Sequence, residues 1–81
     1  MEELFQEIEQ CLEEMIRLQR EKVFMIAIKL NSSITRDDLF NPQDFVELER
    51  SGLFNFEDGI LAGLMSAQMA LRANVFSKHR R

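Results

Sequence analysis

Eighty-one residues with 46% hydrophobic and 30% charged side chains, three glycines and one proline describe one packed domain; a two-domain enzyme and a disordered tail are both excluded. Fourteen acidic against ten basic side chains give a net charge of −4 and a pI near 4.9. A chain of that charge is repelled by nucleic acid and by anionic lipid, and its longest apolar run, Val23 to Ile28, is far short of the ~18 residues a membrane span needs. Cys11 has no second cysteine to pair with and no leader-like segment opens the chain, so a reducing cytoplasm is the expected location.

The first thirty residues predict one long helix, over about 2–30. Apolar side chains recur at Leu4, Ile8, Cys11, Met15, Leu18 and Met25, and Phe5, Leu12, Ile16, Val23, Ile26 and Leu30 widen that stripe. Glu2, Glu3, Glu7, Glu9, Glu13 and Glu14 precede the first basic residue, while Arg17, Arg20, Lys22 and Lys29 fill the later half, so the charges oppose the helix dipole at both ends. Asn31-Ser32-Ser33 ends it, because these side chains compete for backbone hydrogen bonds. Thr35 with Asp38 three residues on, and Asn41-Pro42 with Asp44, both resemble helix starts, and a short helix over about 42–50 is predicted. Ser51-Gly52 is read as its stop.

A third helix, about 56–77, follows with Asn55 as its cap and Glu57 and Asp58 in its first turn; Ile60, Leu64, Ala67, Leu71 and Val75 then repeat along one side. Beyond it lies a basic tail, residues 78–81. Residues 1–31 sum to −3, residues 32–58 to −5 and residues 59–81 to +4, so folding the third helix back sets its basic end beside the acidic start of the first. The expected fold is therefore all-α: an antiparallel helical hairpin with a short connecting helix. Phe40, Phe45, Phe54 and Phe56, near Leu39, Leu48 and Leu53, are expected to plug one end of it.

Nothing in the pattern points to catalysis or to a cofactor. His79 sits near the end of the chain between Lys78 and Arg80, and Cys11 lies on the helix-one stripe with no histidine near it in sequence. Asp37, Asp38, Asp44, Glu47 and Glu49 supply oxygen ligands without the spacing of a calcium loop, and read as caps and solvated charge; no metal is expected. A nucleic-acid role through Lys78-His79-Arg80-Arg81 is opposed by the acidic remainder.

What remains is surface for a protein. Gly59, Gly63 and Ala67 recur every fourth residue, and two glycines inside a helix cost about 1 kcal/mol each, an expense that close approach of another helix would offset. That helix is either the chain's own first helix or a partner's. Two helices cannot enclose so wide a stripe, so a groove built from Ile8, Cys11, Met15, Gly59, Gly63, Leu64, Met65, Ala67 and Leu71 is expected to take protein, either a second copy completing a bundle or the amphipathic helix of another chain. In size, pI and layout, with a long acidic helix from Glu2 to Leu30 and the returning stretch Glu57-Asp58-Gly59-Ile60-Leu61-Ala62-Gly63-Leu64-Met65-Ser66-Ala67-Gln68-Met69-Ala70-Leu71, the chain resembles the small cytoplasmic co-chaperones of type III secretion needle subunits. The resemblance implies a non-enzymatic chaperone that cooperates with a second one to hold an aggregation-prone partner. The other reading is a homodimeric four-helix scaffold.

Overall fold

Helix α1 (Glu2–Leu30) is the longest element of the chain, which is all-α: no strand occurs among residues 2–79, the residues that this computed structural model describes. At 1.5 Å per residue its 29 residues span about 43 Å, close to the full 46 Å length of the molecule, whose other dimensions are 19 and 17 Å. The helix ends where the side chains predict. Asn31 Oδ1 accepts from the Ser33 amide at 3.0 Å and from its hydroxyl at 2.6 Å, so Asn31 turns the chain in place of another helical turn.

The connector departs from the single short helix expected over 42–50. A 3₁₀ turn (Asp37–Phe40) is opened by the reciprocal Thr35 and Asp38 bonds, at 2.8 and 3.3 Å, and a second 3₁₀ turn (Pro42–Asp44) begins on Pro42. Phe45 is then extended (φ −119°, ψ 110°), and only Val46–Glu49, helix α2, is α-helical. Leu48 belongs to the core formed with Val23, Ala27, Ile34 and Phe54, and Phe45 packs against that core from the extended residue before α2.

Ser51-Gly52 starts the next helix instead of stopping the last. Ser51 Oγ accepts from the Phe54 amide at 3.0 Å and caps α3 (Gly52–Leu71). Asn55 turns backward: its side-chain amide donates to the Leu48 and Glu49 carbonyls at 3.4 and 2.9 Å and so closes the end of α2. α3 runs antiparallel to α1 and passes through a π turn (Arg72–Phe76) into a last helical turn, α4 (Ser77–His79). Phe5 against Phe76 (ring centroids 5.3 Å apart) and Arg72 on Glu9 and Glu13 fasten the far end. Of the basic tail, Lys78 belongs to α4; the His79 side chain, Arg80 and Arg81 lie outside the described residues.

The aromatic plug is half realised. Phe54 is buried and Phe45 half-buried, but Phe40, Phe56 and Leu53 face outward. The core thus sits at the connector end, and along the middle of the helix pair Ile16 is the one fully buried apolar side chain of α1 among the described residues.

Candidate partner-binding surfaces

Two stripes run along α1 at heptad spacing, and they have opposite fates. Phe5, Ile16 and Val23 are buried toward α3, with Leu12, Gln19 and Ile26 half-buried on the same line. The primary stripe read from the sequence, Leu4, Ile8, Cys11, Met15, Leu18 and Met25, stays exposed. Each of these six precedes a position of the inward line, and one residue turns a helix by 100°, so the stripe lies on a flank of the pair.

The same offset operates on α3. Phe54, Glu57, Leu61, Leu64, Gln68 and Leu71 are its buried or half-buried inward line, and the exposed residues that precede them are Leu53, Phe56, Ile60, Gly63, Ala67 and Ala70. In antiparallel right-handed helices the preceding residue of each falls on the same flank. Lys22, on that flank, reaches in to Glu57 at the seam at 3.1 Å. The two stripes therefore form one continuous apolar side, from Leu4 to Met25 along α1 and from Leu53 to Ala70 along α3. Leu4, Met15, Leu18, Met25 and Leu53 on it are each 46–59% exposed. The stretch 59–71 carries no charged residue at all, whereas a helix with one solvated face normally places its charges there.

Of the residues expected to form the partner groove, Ile8, Cys11, Met15 and Ala67 are exposed on this side, whereas Leu64 and Leu71 are half-buried on the seam repeat of Glu57. Met65 turns to the opposite flank, where its sulfur lies 3.7 Å from Arg20 Nη2. Gly59 and Gly63 point away from α1; a Cβ built on either meets nothing within 4 Å. The close approach of the chain's own first helix, one of the two expectations for these glycines, is therefore not the use they serve.

The polar bridge between the helices was not anticipated. Glu57 is buried at 6% exposure, and its carboxylate accepts from Gln19 Nε2 at 2.8 Å and from Lys22 Nζ at 3.1 Å; Gln19 Nε2 also reaches the Glu57 carbonyl at 2.8 Å. The Gln19 amide and then the Lys22 ammonium hold this carboxyl below the usual glutamate range. Glu57 therefore spans the pair instead of lying in a first helical turn. The signal was present in the sequence, since Gln19 falls on the Phe5, Leu12 and Ile26 repeat and Glu57 on the Leu64 and Leu71 repeat, polar residues at seam positions of both helices.

The opposite flank holds a groove of about 510 Å³ with Val23, Phe24, Leu39, Leu61 and Met65 on its walls and Arg36, Asp37, Phe40 and Asp58 at its edge. Arg36 lies 4.2 Å above the Phe24 ring and pairs with Glu21 at 2.9 Å. Burial pushes the Asp58 carboxyl up.

Among the described residues no three His, Cys, Asp or Glu side chains group to hold a metal ion, and no helix is long and apolar enough to cross a membrane. Comparison with known protein families, with curated proteins and with solved structures finds no match.

Proposed function

We propose that this chain is a non-enzymatic helical protein-binding module, a small cytoplasmic chaperone or adaptor that covers the amphipathic helix of a partner and completes a helical bundle only by association. The observation that carries the proposal is the continuous apolar side running from Leu4 to Met25 on α1 and from Leu53 to Ala70 on α3. A docked helix would lie between the two stripes as a third member of the bundle, with its own apolar positions at i, i+3, i+4 and i+7 meeting Ile8, Met15, Ile60 and Ala67. The resemblance to needle co-chaperones agrees with that use.

The experiment is titration with a fluorescent model helix carrying leucine at heptad positions, followed by anisotropy, on the wild type, Met15→Glu and Ile60→Asp. Binding by the wild type, and affinity at least ~10-fold lower in both variants with unchanged far-ultraviolet circular dichroism, is the expected result. Loss of helicity in both variants with no separable loss of binding would overturn the proposal.

A further inference from the structure

Resting on the reading that the apolar side is a helix-docking surface, we infer that its occupant is a second copy of this chain, laid alongside in the same direction so that α1 of each copy packs on α3 of the other. Three observations on the molecule lead there.

The first is area. A compact monomer of 9.5 kDa exposes about 5,000 Å². This chain exposes 5841 Å², and its radius of gyration of 15.4 Å exceeds the ~12 Å of a globular chain of its length. The excess, roughly 800 Å², matches one partner's share of a standard stable interface. A side of the rod measuring 46 by 19 Å has room for it. A single short helix laid between the stripes covers only part of such a face, whereas a second rod of the same length covers all of it.

The second is charge. The copy-to-copy contact in this arrangement is α1 on the partner's α3, running antiparallel. The acidic start of α1, with Glu2, Glu3 and Glu7, then meets the partner's end of the rod that carries Arg72 and Lys78. At the other end Lys29 meets the partner's segment 32–58, of charge −5. Both ends are complementary in the same placement. Inverting the α1-on-α3 contact instead sets the acidic start of α1 on the partner's acidic Glu57 and Asp58 end, which disfavours the opposite orientation.

The third is size. The exposed α1 stripe is built from large side chains, Leu4, Ile8, Met15 and Leu18, whereas the exposed side of α3 around its midpoint is small, with Gly63, Ala67 and Ala70. Large residues on one surface and small ones on the other pack as knobs into shallow holes when α1 lies on the partner's α3. A two-fold axis along the rod makes that contact twice, once per copy, and yields an all-antiparallel four-helix bundle.

The test is light-scattering mass over a hundredfold concentration range, on the full chain, with an apolar dye and the model helix titrated into the same samples. The wild type is expected at twice the 9.5 kDa chain mass, with little dye bound at high concentration. Gly63→Leu fills the hole at a position open in the single chain, and is expected to raise the dimer dissociation constant about 10- to 100-fold while helicity at low concentration is kept. Met15→Glu, on the opposing stripe, is expected to do the same, so the inference survives if one variant misfolds. A dimer unmoved by both variants would overturn the inference, because it would use another surface. A wild type that stays monomeric and binds the dye or the model helix would overturn it while leaving the docking reading intact. A monomer that binds neither would overturn both.

Discussion

Replacing Gly59 and Gly63 together by alanine is expected to stabilise the isolated chain, and the structure gives the magnitude. Neither glycine has a positive φ, so alanine takes the same backbone conformation, and a Cβ at either position meets nothing within 4 Å. No clash therefore offsets the helix-propensity gain, which is about 1 kcal/mol per glycine in an exposed helix interior. The double variant gains ~1–2 kcal/mol, and at 4–8 °C per kcal/mol for a domain of this size the melting temperature rises by roughly 4–16 °C. Thermal melts followed by circular dichroism at a concentration low enough to hold the chain monomeric make the measurement. A fall in stability there would refute the reasoning, because it would mean that the glycine side of α3 packs inside the chain. The same melts repeated at high concentration separate the two uses of this surface: in the dimer the added methyls lie at the copy-to-copy contact, so the gain shrinks or reverses as association sets in.

Other substitutions probe the core and the bridge. Leu48→Ala removes a side chain with 0% exposure from the connector core and is expected to cost about 2–5 kcal/mol by urea unfolding, whereas Phe40→Ser, at a position 78% exposed, should stay within about 0.5 kcal/mol; the reverse ranking would discard the observed plug. Glu57 has a folded carboxyl below its unfolded value, so its contribution is fully present above the usual glutamate range and is lost as pH falls through the folded value. Urea midpoints from pH 7 down to pH 3 should accordingly fall less steeply for Glu57→Gln than for the wild type, and parallel profiles would dismiss the bridge. Asp58 has the opposite sign: burial raises its folded value, so its ionisation opposes folding as pH rises, and Asp58→Asn is expected to stabilise the chain at pH 7 relative to pH 3.

Periodicity made the long helices legible, and local hydrogen-bonding chemistry made their ends partly so. The break at Asn31 and the Thr35–Asp38 box formed as their side chains dictate. Ser51-Gly52 failed as a stop signal because serine followed by glycine is compatible with either terminus, and the neighbour that decides is Phe54, whose burial requires the helix to begin early enough to place it in the core. Asn55 was displaced from its expected cap for the same reason. The connector was least legible. Its shape follows from which aromatic residues find room in a small core, a tertiary question that spacing along the chain does not pose.

The division of α1 into an inward and an outward stripe was the harder problem, and its solution explains the outward one. Both lines repeat at heptad spacing, so hydrophobicity alone cannot choose between them. Polarity is no guide either, since the inward line carries Gln19, and on α3 Glu57, Gln68 and Arg72 all face the partner helix. Gln19 and Glu57 satisfy each other across the seam, which makes a polar contact inside the chain tolerable, whereas the outward side of α3 carries no group that needs such a partner. A helix pair that bridges its seam with Gln19 and Glu57 while leaving Leu4, Ile8, Met15, Leu18, Met25, Leu53 and Ile60 exposed has apolar surface that its own core does not use. The bridge also acts on recognition. By occupying the seam it fixes the register of α1 against α3, and so fixes which large residues of one stripe stand beside which small residues of the other. An apolar seam in its place would let the helices slide, and the outer side would lose the defined relief on which a helix, from a second copy or from another protein, must fit.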